Sequence, residues 1–372
     1  MEFCVVRDYI SPLLESFVNG VTEDLMQRGH RFCSQPPDDP KLVINVTRSD
    51  RPSPNFRRRS RATFLATVVE VEGAAPPPDP KAYPTYLRQL LKMLYPVLVR
   101  ALSNLVIGLV KTSKEHYETF FVTLELGCYR IEPGPKYFDR VCDRLLPLAQ
   151  ARFIIENELI EDLPPSLWKG DEKTEKMRFY GKLLDELGLQ PAPFPIDELL
   201  SERDLRHVYK LYGITGLSYG NLSARHDEKS FWMTGRGVNK ANLKQIGKDI
   251  LLITGFDEQR ECLRVSIPPH SDRRARASVD AIEHFLIYRE FPQVGAIVHV
   301  HAWIDGVPST QQNYPCGTIE LAQEVLSLVR KAPDPSKAVV GLKNHGLTIT
   351  GHDLDEIFSR IGGKLVQDVP MI

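Results

Sequence analysis

The chain has 372 residues, enough for two domains that each bury a core, and 42% of its residues are hydrophobic. Its formal net charge is −1, which argues against a general affinity for nucleic acid or for anionic membranes. The six cysteines form no C-x-x-C pair, a pattern typical of reduced thiols inside the cell. We therefore expect a cytoplasmic protein without a membrane span.

The first part of the chain mixes strand-like and helix-like segments. Residues 62–72 and 116–126 are rich in β-branched and aromatic residues, which predicts strands. Residues 83–111 and 136–160 carry Leu, Val and Ile at helical spacing, which predicts helices, the first interrupted at Pro96. An α+β arrangement fits, and no family, glycine-rich loop, metal cluster or nucleophile motif is recognisable here.

A basic run lies between Arg51 and Arg61, with five arginines and no acidic residue. Such a run raises the question of nucleic-acid binding. However, it precedes a strand and has no aromatic array or fold motif behind it. A solvated loop or a subunit contact is therefore the favoured interpretation.

Prolines and charges mark a linker within residues 161–195. A polar stretch at 173–187 has the pattern of a helix inside it. We divide the chain accordingly into an N-terminal α+β domain of residues 1–185, whose role is unknown, and a C-terminal domain of residues 186–372.

Three histidines in the C-terminal half have the spacing of a metal site. His299 and His301 lie in the segment 294–303, whose β-branched residues predict a strand. Side chains two residues apart on a strand point to the same face, so both rings aim at one point. His345 follows 44 residues after His301, beside Gly346, where a second apolar run turns. Three imidazoles with an open fourth position are typical of a catalytic zinc site. The alternative is two core histidines and an unrelated loop histidine.

The C-terminal half resembles the class II aldolase/adducin family over residues 196–360. The resemblance rests on six motifs that occur in the family's order. They are Tyr219–Arg225 (YGNLSAR), Thr234–Gly237 (TGRG), Ala277–Asp280 (ASVD) with His284 following, His299–His301 (HVH), Gly317–Leu321 (GTIEL) and Asn344–Gly346 (NHG). One such motif alone is weak, but six in order are specific. The resemblance implies an α/β/α sandwich with a mainly antiparallel central sheet, and α/β (α+β) as the fold class of the whole chain.

The resemblance also implies a metal centre. His299, His301 and His345 would bind a divalent ion, with Zn²⁺ favoured over Mn²⁺, Co²⁺ or Fe²⁺. Asp280 would be the fourth ligand or the acid/base. Aldolases of the family usually have Glu at that position and the epimerase branch has Asp, which favours a reaction other than plain aldol cleavage. Without the family, Asp280 would be an ordinary acid in the first turn of a helix.

An anion site is implied by the loops in which sugar-phosphate members hold phosphate. The matching residues are Gly220, Asn221, Gly237 and Ser278. Two positions depart from the pattern, because Arg236 replaces a hydroxyl residue and Val279 replaces a serine. Arg236 and Arg276 bring guanidinium groups that bind carboxylate or phosphate through two hydrogen bonds. We therefore expect a small anionic carbonyl substrate, with a solvated loop as the alternative for residues 273–276.

The segment after the histidine pair is short. Only 15 residues separate His301 from Gly317, whereas the family usually has a longer segment that supplies a second acid/base. Asp305 and Tyr314 are the proton-transfer candidates in it.

Together these observations predict a metal-dependent aldolase or epimerase-type lyase that forms an enediolate from a hydroxy-carbonyl compound such as a sugar phosphate or sugar acid. The alternatives are an adducin-like scaffold without catalysis and a metal-binding regulatory module. Because family members form rings, we expect a homo-oligomer, with a tetramer favoured, and neither nucleic acid nor a membrane as a partner.

Overall fold

The computed structural model describes residues 1–59, 63–113, 116–124, 127–189, 196–212, 220–367 and 369–370. The chain divides into two compact units, the first mainly residues 1–150 with the segment 194–211, the second residues 151–193 and 212–370. The predicted boundary between residues 185 and 186 lies inside the second unit. As a division into independently folding domains, that boundary stays a prediction.

Both units contain strands and helices. The strands are β1 (Glu2–Arg7), β2 (Arg31–Cys33), β3 (Leu42–Val46), β4 (Phe64–Glu72), β5 (Leu105–Lys111), β6 (Tyr117–Val122), β7 (Cys128–Ile131), β8 (Glu156–Ile160), β9 (Asn221–Arg225), β10 (Phe231–Thr234), β11 (Ile250–Asp257), β12 (Cys262–Ser266), β13 (Ala296–Val300), β14 (Val339–Leu342) and β15 (Gly346–Gly351). The helices are α1 (Pro12–Gln27), α2 (Tyr83–Arg100), α3 (Tyr137–Gln150), α4 (Glu172–Glu186), α5 (Ile196–Leu199), α6 (Glu202–Tyr212), α7 (Ala281–Glu290), α8 (Ile319–Lys331) and α9 (Leu354–Ile361). The predicted mixed α/β class is confirmed.

The first unit is built on a seven-stranded sheet in the order β2-β1-β3-β4-β5-β6-β7. The strands from β2 to β5 pair in parallel, and the last two pairs are antiparallel. The central strands are buried on both faces, as parallel strands covered by helices usually are. Helices α1 and α3 share one apolar core with this sheet.

Two helix predictions in this part of the chain are wrong at their C-terminal ends. Helix α2 ends at Arg100, and residues 105–111 form β5 instead. Helix α3 ends at Gln150, and residues 156–160 form β8. β5 is buried on both faces and shows no alternation, so its apolar run reads as helical as easily as extended. β8 is partly exposed, and it is defined by its parallel pairing with the distant β12. The predicted interruption at Pro96 is also wrong, because α2 continues through it.

The basic run makes local contacts within the first unit. Arg58 donates hydrogen bonds to Asn104 Oδ1 and Leu102 O, and Arg59 pairs with Asp38. Residues 60–62, with Arg61, lie outside the described residues. Within the described residues, no helix is both long and apolar enough to cross a membrane.

The second unit is built on an eight-stranded sheet in the order β14-β15-β13-β9-β10-β11-β12-β8. Every pair is antiparallel except β12 with β8. Alternate residues face opposite layers: Phe231 and Met233 pack with α7 and α8, whereas Trp232 packs with α4 and α9. The predicted α/β/α sandwich with a mainly antiparallel sheet is confirmed for this unit. Helix α4 also agrees with the helix predicted at 173–187.

Candidate metal centre

The histidine pair lies at the end of a central strand. β13 runs between β15 and β9, and His299 is opposite Thr348 on one side and Asn221 on the other. His301 follows the strand's last residue by one position. Both side chains are buried, with relative exposures of 1% and 4%. The strand predicted for this segment is confirmed.

The protonation of His299 is set by its backbone partner. Its Nδ1 lies 3.0 Å from the carbonyl oxygen of Leu347. Because a carbonyl oxygen only accepts, Nδ1 carries the proton and Nε2 keeps its lone pair. Burial lowers the pKa of His299, and nearby Asp280 opposes this effect. The ring is therefore neutral with an available nitrogen, which is the form that binds metal, and such a backbone partner is usual for a ligand histidine.

The third histidine is presented by a tight turn between β14 and β15. The amide of His345 donates to Leu342 O at 3.0 Å, and Asn344 has a φ of +58°. Gly346 has a φ of +156°, and a Cβ at this position would lie 2.1 Å from Val300 O. Only glycine permits such an approach of the turn to the neighbouring strand. The turn therefore carries the His345 ring to the end of β13, as the sequence predicted.

The three histidines form one compact group. A ligand atom from each of His299, His301 and His345 lies within 4.8 Å of the other two. The Nε2 atoms of His299 and His345 are 3.0 Å apart, and the three ring centroids are 4.6–5.2 Å apart. With metal–nitrogen distances of about 2.0–2.1 Å, two tetrahedral ligand nitrogens lie about 3.4 Å apart. The donor set and its spacing thus fit a divalent ion such as Zn²⁺.

Asp280 is buried beside this group. It occupies the N-cap position of α7, yet its side chain accepts no capping hydrogen bond from that helix. Instead, Asn221 Nδ2 donates to Asp280 Oδ2 at 2.6 Å. The alternative for Asp280 is an ordinary acid that stabilises the start of the helix. No capping hydrogen bond from its side chain supports that alternative. Within the described residues, the buried Oδ1 of Asn221 has no hydrogen-bond partner, which leaves an acceptor for a ligand.

Two further buried ionisable residues, Lys240 and Glu283, lie near Asp280. The sequence analysis identified neither of them. Lys240 is 3% exposed, and burial lowers its pKa to about 8 although Asp280 opposes the shift. Glu283 is also 3% exposed, and burial together with Asp280 raises its pKa to about 8. Thr348 Oγ1 donates to Glu283 at 2.6 Å. In sequence both residues look like ordinary surface charges, so no local signal could have identified them.

The predicted anion-binding segments lie side by side. The amide of Arg236 donates to Arg276 O at 2.7 Å, and the amide of Ser278 donates to Thr234 O at 3.0 Å. These bonds bring the two loops to the Asp280 end of α7. Gly237 has a φ of +66°, a conformation that favours glycine.

The remaining anion-site candidates differ in how they are engaged. The Arg276 guanidinium donates to Arg273 O and Ala275 O, so the backbone already occupies Nη1. Gly220 has a φ of +73°, and a Cβ there would lie 2.6 Å from His299 O. Its tight packing against the histidine strand explains the glycine at the start of this motif. Tyr219, the first residue of the motif, lies outside the described residues.

The two acid/base candidates of the short segment lie in different settings. Asp305 is exposed in a turn, next to Gly306. Tyr314 is half-buried against the core shared with α7 and α8, and burial raises its pKa. Among the described contacts, neither side chain hydrogen-bonds to a histidine of the metal group. Their catalytic roles stay predictions.

Cys316, which the sequence analysis did not identify as a site residue, contacts the histidine group directly. Cys316, just before the Gly317 motif, is 6% exposed, and its Sγ lies 3.2 Å from His345 Nε2. It is not part of a disulfide. A buried cysteine usually reads as a small core residue, so only its neighbourhood identifies it.

Comparison with known families agrees with this geometry. Residues 205–304 match the family model described as Class II Aldolase and Adducin N-terminal domain. A 97-residue stretch is 35% identical to methylthioribulose-1-phosphate dehydratase of Microcystis aeruginosa, and it covers 26% of this chain and 42% of that protein. The chain thus spans less than half of that relative. Residues 205–304 are therefore similar to the class II aldolase and adducin family, which agrees with the resemblance found in the motifs. His345 lies beyond the matched segment.

Solved structures of proteins described as aldolases are also similar to the chain. L-fuculose 1-phosphate aldolase has 17% identity and a TM-score of 0.35, with 55% of this chain and 92% of that chain covered. YgbL of Escherichia coli, titled a putative aldolase/epimerase/decarboxylase, has 18% identity and a TM-score of 0.32, with 50% and 82% covered.

Proposed function

We propose that the chain is a metal-dependent lyase of the class II aldolase type, acting on a small anionic hydroxy-carbonyl compound. The observation that carries the proposal is the group of three buried histidines whose ligand atoms lie within 4.8 Å of one another. Three imidazoles at this mutual distance are the donor set that a divalent ion such as Zn²⁺ prefers. The same histidine group argues against an adducin-like scaffold, and a metal-binding regulatory module stays the alternative.

The contacts around the histidine group support the following roles for its residues. His299, His301 and His345 would hold the ion, with Zn²⁺ favoured because it prefers nitrogen donors in a tetrahedral arrangement. When bound, such an ion stabilises negative charge that develops on a carbonyl oxygen, as in an enediolate. Asp280 would move the proton or act as a fourth ligand, since Asn221 holds its carboxylate in place. Its burial keeps competing water away from the reacting atoms.

Substrate recognition would fall to the paired loops at the N-terminal end of α7. Arg236 can bind a carboxylate or phosphate through two hydrogen bonds. The amide side chain of Asn221 offers a free acceptor within the described residues. A relative named for a phosphorylated sugar supports a sugar-phosphate-like substrate, with dehydration, aldol cleavage and epimerisation as the candidate reactions. A homo-oligomer, with a tetramer favoured, is part of the same proposal.

Metal content is the direct test. Protein purified without chelator or metal-affinity resin would be analysed by plasma mass spectrometry, alongside a His299→Ala/His301→Ala variant. We expect one ion per chain in the wild type and background levels in the variant, because both imidazoles leave the centre. The matched control is His352→Ala, an exposed histidine of the same unit, which should keep the ion.

Two outcomes would overturn the proposal. One is a wild type that takes up no ion even after Zn²⁺ or Mn²⁺ is added back. The other is a histidine variant that keeps its ion, which would place the metal elsewhere. With the metal established, dehydration and retro-aldol assays on phosphorylated ketoses would identify the reaction.

A further inference from the structure

Cys316 lies beside the predicted metal centre and contacts one of its histidines. Its Sγ is 3.2 Å from His345 Nε2 and 3.7 Å from His345 Nδ1. Of the other five cysteines, Cys4, Cys33, Cys128 and Cys142 belong to the first unit and Cys262 lies on β12. Cys316 is thus a buried thiol in contact with the predicted centre.

The backbone holds this thiol from both sides. Gly317 has a φ of +76°, and its carbonyl accepts a hydrogen bond from the Ile154 amide at 2.8 Å. Thr318 Oγ1 donates to Pro315 O at 2.7 Å and also accepts from the Leu321 amide, which caps α8. Because one loop residue is pinned on each side, Cys316 is presented by a rigid turn rather than by a free loop.

The shorter of the two Cys316–His345 distances is close to the separation expected in a nitrogen–sulfur coordination sphere. With about 2.0–2.1 Å for metal–nitrogen and about 2.3 Å for metal–sulfur, a tetrahedral ion separates nitrogen from sulfur by about 3.6 Å. The observed 3.2 Å from Cys316 Sγ to His345 Nε2 is close to this separation. The group whose atoms all lie within 4.8 Å of one another does not include Cys316. To join the coordination sphere, the Cys316 thiol therefore has to turn toward His299 and His301.

We propose that the Cys316 thiolate is the fourth protein ligand of the metal in the substrate-free protein. The inference rests on the proposed metal centre. On metal binding the thiol releases its proton to solvent, and no oxidant or reductant is needed. With Cys316 as the fourth ligand, Asp280, which accepts a hydrogen bond from Asn221 at 2.6 Å, keeps the acid/base role. Substrate then has to replace the thiolate or add as a fifth ligand, which would make this cysteine part of the site's control of access.

Cobalt substitution tests the ligand directly. Metal-free full-length chain would be titrated with Co²⁺ and followed by absorption spectroscopy, because a thiolate bound to Co²⁺ gives an intense charge-transfer band in the near ultraviolet that nitrogen and oxygen ligands do not give. We expect this band at one Co²⁺ per chain in the wild type. Cys316→Ser should lose the band, still bind Co²⁺ through its histidines, and bind Zn²⁺ at least about tenfold more weakly, since loss of an outer partner of a ligand alone costs that much. Cys262→Ser, which changes a buried thiol on β12, should retain the band.

The outcomes separate this inference from the proposed function. Stoichiometric Co²⁺ without the band would overturn the role of Cys316 and leave the three-histidine centre standing. No stoichiometric Co²⁺ would overturn both. If Cys316→Ser fails to fold, X-ray absorption at the zinc edge of the loaded wild type decides the matter: sulfur in the first coordination sphere supports the inference, and nitrogen and oxygen alone overturn it.

Discussion

The two units of the chain bury charge in different ways. Among the described residues, the first unit buries one acidic group, Asp204, and Arg100 meets it with two hydrogen bonds of 2.8 and 3.1 Å. The second unit buries Lys240, Asp280 and Glu283 together with four histidines. Both units have a large mixed sheet covered by helices, so architecture does not explain the difference. The first unit neutralises its buried charge within the fold.

The second unit concentrates its buried ionisable groups around Asp280 and the histidine group. Buried ionisable groups cost free energy unless they are paired or bind an ion, so a fold retains such a concentration where it serves binding or catalysis. The comparison therefore supports the second unit as the place of the proposed reaction. In the first unit, the buried ion pair stabilises the fold. The predictions below test the two halves of this contrast.

The largest effect is expected at Gly346, which lets the His345 turn approach β13. In Gly346→Ala the new Cβ would lie 2.1 Å from Val300 O, and the residue would keep a φ of +156°. We expect the free energy of unfolding to fall by about 3 kcal/mol or more, because backbone must move and the residue is strained. Metal binding should weaken with it. Chemical unfolding and metal content measure the two effects.

Gly306→Ala is the matched control. Gly306 also has a positive φ, +78°, but a Cβ there meets nothing within 4 Å. Only the backbone strain remains, which costs about 1–2 kcal/mol. Equal losses in the two variants would show that the close approach of the turn to β13 does not matter.

The Arg100–Asp204 pair tests the first unit. Arg100→Ala leaves the Asp204 carboxylate, whose side chain is 2% exposed, without its guanidinium. We expect a loss of about 2 kcal/mol in the free energy of unfolding. This figure lies below the usual cost of breaking a buried pair because Arg100 is half-exposed and Ser201 Oγ still donates to Asp204 at 2.8 Å.

A double variant separates burial of the carboxylate from loss of packing. Arg100→Ala/Asp204→Asn carries no buried charge, so it should be more stable than Arg100→Ala alone. If the double variant is the less stable of the two, the buried carboxylate is not the source of the cost, and the first unit does not neutralise its charge as described.

The histidine centre was predictable because it depends on local rules. Alternation along a strand places His299 and His301 together, and the glycine after His345 marks a turn that approaches another strand. Cys316, Lys240 and Glu283 were not predictable. Their burial comes from long-range packing, and nothing in their immediate sequence distinguishes a buried Lys or Glu from an exposed one.

The fold was predictable where an element carries a clear local pattern, such as helical spacing or a run of β-branched residues. Helix α4 and strand β13 were identified close to their observed ends. β5 and β8 were assigned to helices. β5 is buried on both faces, and β8 is defined by its parallel pairing with β12, more than 100 residues later in the chain. A pairing between segments so far apart in the sequence leaves no periodic signal in either of them.

Glu283 offers a pH-dependent test of the second unit. Its pKa is raised to about 8 by burial and by Asp280, so the protonated form is favoured in the folded state. The stability from this group is therefore complete below about pH 4.5 and is lost as the pH rises through 8. Relative to Glu283→Gln, which stays neutral, the metal-free wild type should lose up to about 1.4 kcal/mol per pH unit across that window.

The measurement is chemical unfolding at a series of pH values in the presence of chelator, since a bound cation would lower the pKa of this carboxyl. Glu228→Gln, at an exposed position, is the control and should run parallel to the wild type. A Glu283→Gln curve that is also parallel to the wild type would mean that Glu283 is ionised in the fold, and the contrast between the units would weaken.

The smallest effect is expected at Asp305, which bears on where proton transfer takes place. Asp305 is exposed in a turn, whereas Asp280 is buried and held by Asn221. Asp305→Asn should change the free energy of unfolding by less than about 0.5 kcal/mol and leave the metal content unchanged. Once a substrate is known, Asp280→Asn should lower kcat by about 100-fold or more, the usual contribution of a general acid or base, while Asp305→Asn should leave it nearly unchanged. The reverse ranking, with metal retained in both variants, would move the acid/base from the buried cluster to the short segment, and burial of charge would then locate the metal but not the proton transfer.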